Sequence, residues 1–180
     1  MVSKILLKWL IKRNSSKRES FKLVAFDDAK TVMMLINNAE TSEVEKLLAR
    51  LKQNLSGKVN HLVLMHKHNN PETINVMKSD FNIINLLPKD FYWFGWPRNS
   101  FYKKIANTES ELILGFDLNY DLRLLYAASS SLNGFRIGWG MKEPFPFHDI
   151  LIGGADQSDL AEIFNQHYKY LKSLNGEGHV

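Results

Sequence analysis

The chain has 180 residues, 44% of them hydrophobic and 23% charged, which suits one soluble domain with one core. It contains no cysteine, so disulfides, thiolate metal sites and thiol nucleophiles are excluded. The formal charge of +4 is unevenly placed: residues 1–22 hold seven basic side chains against Glu19, a net of +6, and the remainder holds 16 basic and 18 acidic ones, a net of −2. A body so close to neutral does not present a broad basic face for nucleic acid.

Residues 3–13 have helical periodicity. Lys4, Lys8 and Lys12 fall on one stripe, and Ile5, Leu6, Trp9 and Leu10 form a broad apolar face. Residues 1–20 therefore read as a basic amphipathic arm, and residues 21–176 as a single α/β domain. Lys8 interrupts the apolar run and no small-residue cleavage site follows, unlike a signal peptide. A bilayer span needs about 20 apolar residues. The expectation is a cytoplasmic protein without a transmembrane segment, peripheral at most to the inner membrane. The arm either packs on its own domain or docks on a partner, with Trp9 as anchor and Lys4, Lys8, Lys12 and Arg13 as charge contacts. Asn14 to Arg18 is a polar break that reads as a hinge, and Phe21 to Phe26 as a short strand or lead-in.

Thr31 to Ile36 is a continuous apolar run, the pattern of a strand buried on both faces. Thr41 or Ser42 caps a following helix whose Val44, Leu47, Leu48, Leu51 and Leu55 recur at spacings of three and four. Val59 to Met65 is a second buried strand, and Phe81 to Leu87 a third, closed by Pro88. Lys89 to Arg98 is dense in aromatics, and Ser100 to Ala106 forms a short helix. Leu112 to Phe116, a helical pattern from 122 to 132, and Phe135 to Trp139 make a strand–helix–strand unit. Ile150 and its neighbours from His148 form the last strand. Asp156 or Ser158 then caps a final helix carrying Leu160, Ile163, Phe164, His167, Tyr168, Leu171 and Leu174. Strands alternating with helices predict an α/β fold, three-layer and Rossmann-like, with a mostly parallel sheet, helices on both faces and the N-terminal amphipathic helix added.

On such sheets ligands bind beyond the carboxyl ends of the strands. That rule selects Asn37-Asn38, His66-Lys67-His68, Asp117 through Asp121 with Arg123, and Gly153-Gly154. His66 and His68 share a strand face but lack a third metal ligand at diagnostic spacing, so they read as a solvated strand end. Asp117, Asn119 and Asp121 can orient a polar ligand or Mg²⁺, or serve as helix caps, and capping is the favoured reading. Ser129-Ser130-Ser131 lies inside the helical pattern without a nucleophile elbow. No glycine-rich phosphate-binding fingerprint occurs, so no cofactor is expected. The stretch Phe91 to Trp96, with Lys89, Arg98, Lys103 and Lys104 near it, offers flat faces among cations. Trp93, Trp96, Lys89 and Arg98 are its candidate partner contacts, and a core cluster with one exposed edge is the alternative.

The run Pro88-Lys89-Asp90-Phe91-Tyr92-Trp93-Phe94-Gly95-Trp96-Pro97 resembles a K-D-x-x-W-F-G-x-P element. With the arm, the Leu112–Trp139 unit and Tyr170-Leu171, it looks like an uncharacterised family of small Bacteroidota proteins, a domain of unknown function. That resemblance implies no activity and no catalytic residue. Residues 117–138, an acidic turn, Leu-Arg-Leu-Leu, small residues and Phe-Arg-Ile-Gly, are similar to part of the N-terminal Rossmann-like half of heptosyltransferase-type GT-B glycosyltransferases. This implies the layer arrangement; the donor-binding half of those enzymes does not fit in 180 residues.

Without a catalytic constellation or a metal site, the leading expectation is a non-catalytic binding or adaptor protein. Its basic helix would dock on an anionic partner: a membrane surface, RNA or a protein complex. The alternative is a small enzyme or sensor that binds a polar or sugar-phosphate ligand at the strand ends, using His66, Lys67, His68, Asp117, Asn119, Asp121 and Arg123.

Overall fold

The computed structural model describes residues 2–18, 23–24, 26–37, 39–54, 60–66, 82–117, 119–140, 142, 146–153 and 159–174, with the backbone alone at 2, 3, 41 and 60–66. Helix α1 (Val2–Ser15) precedes strand β1 (Thr31–Asn37), helix α2 (Thr41–Asn54) and strand β2 (Asn60–His66). Strand β3 (Asn82–Leu86) runs into a 3-10 turn at Pro88–Asp90 and then helix α3 (Asn99–Ile105). Strand β4 (Leu112–Gly115), helix α4 (Leu122–Ala128) and strand β5 (Phe135–Trp139) form the expected unit, followed by strand β6 (Ile150–Ile152) and helix α5 (Leu160–Leu174).

The six strands form one sheet in the order β3-β2-β1-β4-β5-β6, with every neighbouring pair parallel. The continuous apolar runs follow from cover on both faces. Along β1 and β4, Val32, Met34, Ile36, Leu112 and Leu114 enter a core layer shared with α2 and α5, through Leu47, Leu51, Phe164 and Leu171. The alternate residues Met33, Leu35 and Ile113 enter a second layer with Leu7, Leu10 and Ile11 of α1, Phe101 and Ile105 of α3, and Leu124 and Leu125 of α4. Helices therefore cover both faces of a parallel sheet, the three-layer Rossmann-like arrangement.

Several local expectations are corrected. The buried face of α1 is Leu7, Leu10 and Ile11, and Ile5 and Trp9 stand 62% and 54% exposed on the outer side. The polar break after α1 is tied down rather than hinged. Asn14 Nδ2 donates to Ser129 Oγ at 2.9 Å, and Arg18 meets Asp149 through Nη1 and Nη2 at 2.6 and 2.7 Å. The described residues of 21–26 form no strand. Helix α4 stops at Ala128 because the serines bond backwards. Ser129 Oγ donates to the Tyr126 carbonyl, Ser130 Oγ to that of Ala127, and Ser131 Oγ to that of Ser110. The expected caps of α5, Asp156 and Ser158, lie outside the described residues; Asp159 Oδ1 accepts from the Ala161 N–H at 2.9 Å. Leu55 is also outside them. His148 lies across the sheet where β4 and β5 carry glycine: a Cβ on Gly138 would stand 2.7 Å from its Nδ1.

Two buried polar groups set testable energetics. Asp149 accepts from both Arg18 Nη atoms and from the Arg136 N–H at 2.9 Å. The Arg136 side chain is 1% exposed, sits over the Phe147 ring at 4.4 Å, and donates to the Ser131 carbonyl and to Ser15 Oγ. Burial, together with repulsion from Arg18, lowers its pKa to about 10, and Asp149 opposes that shift. Asp149→Ala leaves two cations without their anion, so it should cost about 3 kcal/mol in urea unfolding. A loss of only a few tenths would show that the cluster holds nothing together.

His167 is fully buried between the rings of Phe116 and Trp139, with centroids at 5.2 and 6.0 Å. The Gly138 backbone beside it falls outside hydrogen-bond geometry, and burial dominates, pushing the pKa down to about 3. The unfolded histidine titrates near 6.5, at about the ordinary value. Between those values the unfolded chain holds a proton that the folded chain lacks. Stability from this group is thus complete above pH 6.5 or so and falls with pH at up to ~1.4 kcal/mol per unit. Denaturation midpoints measured from neutral pH towards pH 5 or so should drop less steeply in His167→Phe than in the parent. Parallel pH profiles would contradict this assignment.

Candidate functional site

A cleft of about 580 Å³ opens at the carboxyl edge of the sheet, where β1 and β4 part. Its floor is Asn37 at the end of β1 and the loop Asn119-Tyr120-Asp121-Leu122-Arg123 after β4. One wall is α1, through Lys4, Leu7 and Lys8. The other wall is Pro88, Phe91, Tyr92, Trp93 and Gly95.

The floor is shaped by one carboxylate. Asp117 Oδ1 accepts from the Asn119 N–H at 2.8 Å; Oδ2 accepts from the Asp121 N–H and from Asn37 Nδ2, both at 2.9 Å. Asp121 Oδ1 in turn accepts from the Arg123 N–H at 2.8 Å, which caps α4. Asp121 is the cap of α4, whereas Asp117 organises the turn before it. Between them Tyr120 holds a left-handed backbone, φ 47°, uncommon for an aromatic residue. Its hydroxyl donates to the Trp139 carbonyl at 2.6 Å and fixes the buried ring.

The aromatic wall is a short hairpin. Phe91 and Pro97 form an antiparallel bridge; the Tyr92 N–H donates to the Trp96 carbonyl and the Gly95 N–H to the Tyr92 carbonyl, each at 2.8 Å. Gly95 takes φ 88°, the left-handed position that closes such a turn. Phe91 and Pro97 are buried, whereas Trp93 at the tip is 94% exposed. Asp90, 1% exposed, anchors the base: its Oδ2 accepts from the Leu87 N–H at 2.8 Å and from Lys104 Nζ, which also reaches the Asn85 carbonyl. Burial works against ionisation of Asp90. The Lys104 and Leu87 hydrogen bonds, helped by Ser100, outweigh it and lower the pKa.

The site residues read from the sequence divide accordingly. Lys4, Lys8, Trp93, Asn119, Asp121 and Arg123 line the cleft, and Asp117 lies beneath it, bonded to Asn37. Arg123 also places its guanidinium 5.5 Å from the Phe91 ring. Trp9, Lys12 and Arg13 are exposed outside the lining, with Arg13 over Trp9 at 5.6 Å. Lys89, Trp96 and Arg98 are exposed on the hairpin's surroundings, and Arg98 covers Tyr92 at 4.5 Å. His66 ends β2 in register with Asn37; its side chain, with Lys67 and His68, lies outside the described residues. Tyr92 belongs to the aromatic stretch read from the sequence, and Tyr120 to the strand-end turn, where its φ and its bond to Trp139 are tertiary features.

The chain belongs to a family of unknown function (DUF6913), which matches residues 4–174. This agrees with the family likeness carried by the 88–97 element. No curated protein matches the chain. Solved structures similar to it include a family 4 carbohydrate esterase from Bacillus anthracis, 17% identical, with 95% of this chain and 87% of that chain covered and a TM-score of 0.38. An apo double mutant of Etr1p is 13% identical, with 98% of this chain and 49% of that chain covered and a TM-score of 0.39. At these TM-scores neither likeness bears on activity.

Asp90→Asn removes the anion that Lys104 pairs with and should cost about 2 kcal/mol in urea unfolding at neutral pH. The lowered pKa means that this contribution is complete above the ordinary aspartate value and is lost as pH falls from there through the lower value of the folded state. The gap between the variant and the parent should therefore start to close only as pH falls below 4 or so, and vanish beneath the lowered value. An unchanged gap at acid pH would refute the pairing.

Proposed function

We propose that the chain is a binding protein for a small anionic ligand carrying a ring, of the sugar-phosphate kind, held in the cleft between α1 and the aromatic hairpin. One observation carries this reading. Lys4 and Lys8 face the same space as Arg123, and among the described residues no carboxylate pairs with either lysine. Cations on one wall attract an anion, and the rings of Tyr92 and Trp93 on the other suit a flat or ring-shaped group. The position at the point where the sheet changes direction supports the same reading.

Binding is favoured over turnover because the two carboxylates of the floor are committed to backbone N–H groups. General acid–base catalysis asks for a group positioned on the reacting atom, not one occupied by capping.

Isothermal titration with hexose phosphates and nucleoside monophosphates tests it, with free hexose and inorganic phosphate as comparison arms. A phosphorylated ring compound should bind more tightly than either half alone. Lys4→Ala combined with Lys8→Ala should weaken it by about tenfold or more, since two cations at roughly 1 kcal/mol each are removed. No binding by any phosphorylated ring compound, or equal affinity in the double variant, would overturn the proposal.

A further inference from the structure

We infer that the rim of this cleft is a docking surface for an anionic lipid bilayer, entered by the tip of the aromatic hairpin and by the outer face of α1. The inference stands on the rim's exposed side chains and does not depend on what the cleft holds.

The hairpin tip carries the wrong residues for a tip that faces only water. Such positions ordinarily take Asn, Asp or Gly, whose backbone and side-chain chemistry suits a turn. Here they are Trp93 and Phe94, 94% and 37% exposed, with ring centroids 5.4 Å apart. The support beneath is fixed by the Phe91–Pro97 bridge and the Asp90–Lys104 pair, so the tip is held outward rather than left without a packing site.

Helix α1 repeats the feature. Its core-facing side is satisfied by Leu7, Leu10 and Ile11, yet Ile5 and Trp9, one turn apart, are also apolar and face solvent. Lys4 and Lys8 run beside them along the same turns, and these lysines line the cleft opposite Trp93. Cations and exposed aromatics thus flank one opening.

Charge decides what the partner is. Residues 1–22 carry +6 while the rest of the chain carries −2. An anionic bilayer answers both features: basic residues gain from the surface potential, and tryptophan settles at headgroup depth. Single-stranded RNA asks for rings along a basic groove that tracks a backbone, and Trp93 instead protrudes from a tip. Among the described residues no helix is long and apolar enough to cross a membrane, so the attachment is peripheral.

The test is co-sedimentation of the full chain with phosphatidylcholine vesicles, with and without phosphatidylglycerol, at low and raised salt. The chain should pellet with the anionic vesicles, and salt should weaken this. Trp93→Ser should reduce partitioning by about tenfold with an unchanged melting temperature, because a solvent-facing aromatic loses its burial only in the bilayer. Trp9→Ser should act in the same direction. No binding to anionic vesicles, equal binding to neutral ones, or full binding by both variants would overturn the inference. So would preferential binding of an RNA homopolymer, or a dimer in sedimentation velocity that Trp93→Ser dissociates without any vesicle binding. Titrating Trp9→Ser, which lies outside the cleft lining, with soluble phosphorylated ligands separates this surface from the cleft, since its vesicle binding should fall while its affinity for the free ligand does not.

Discussion

Strands β1 and β4 lie side by side and parallel, yet the chain leaves them in opposite directions across the sheet. From β1 it proceeds outward to β2 and β3, and from β4 to β5 and β6. Among the described residues the last backbone bond between them runs from the Phe116 N–H to the Leu35 carbonyl at 3.0 Å, and beyond it the two exit loops diverge and leave a gap. Asn37 and Asp117, joined at 2.9 Å, cross it with side chains instead. The loop that follows is then folded around the Asp117 carboxylate, which accepts two N–H groups of the loop as well. Everything that lines the cleft floor inherits its place from that carboxylate.

The walls depend on longer connections. Helix α1 reaches the opening because its end is clasped: Arg18 grips Asp149, Arg136 touches Ser15, and Asn14 bonds Ser129. Those contacts select which side of a helix with a broad apolar arc faces the sheet. Once Asn14 and Ser15 are turned inward, Leu7, Leu10 and Ile11 follow by helical spacing and Ile5 and Trp9 are carried outward. The lysine stripe then falls between the buried and the outer apolar sides, at the edge of the cleft.

This separates what could be read from the residues from what could not. Thr31 to Ile36 announces a strand covered on both faces by its unbroken apolar run, and the turn at 117–121 announces capping by its carboxylates before Leu-Arg-Leu-Leu. Layer order and fold class follow from such local signals. The core face of α1 does not, since Ile5, Leu6, Leu7, Trp9, Leu10 and Ile11 point nearly all round the axis. The early end of α4 was hidden for a different reason. Three serines are compatible with a helix, and only their bonds to Tyr126, Ala127 and Ser110 show where it stops. The cleft itself is a tertiary fact: it joins Lys4 to Tyr92 and Arg123, and nothing along the chain links them. The basic arm, the aromatic run and the acidic turn each stood out alone, and the return of the chain from β3 to β4 brings them to one opening.

Their meeting bears on how exposed aromatics should be interpreted. A ring left in water on a loosely held loop can reflect poor packing. Trp93 is not in that position, because Asp90 is buried at the base of its hairpin and holds both the Leu87 N–H and Lys104 through Oδ2, and Arg98 covers Tyr92. Fixing a large apolar surface in solvent forgoes roughly 2 kcal/mol of burial for each such side chain. Trp9 and Ile5 repeat that cost on a helix whose core side is already filled. The hairpin and the outer side of α1 thus both hold apolar groups outward, and Lys4 and Lys8, which no carboxylate among the described residues pairs with, line the cleft beside them. The proposed bilayer contact rests on that pairing, with rings for its apolar interior and lysines for its anionic headgroups.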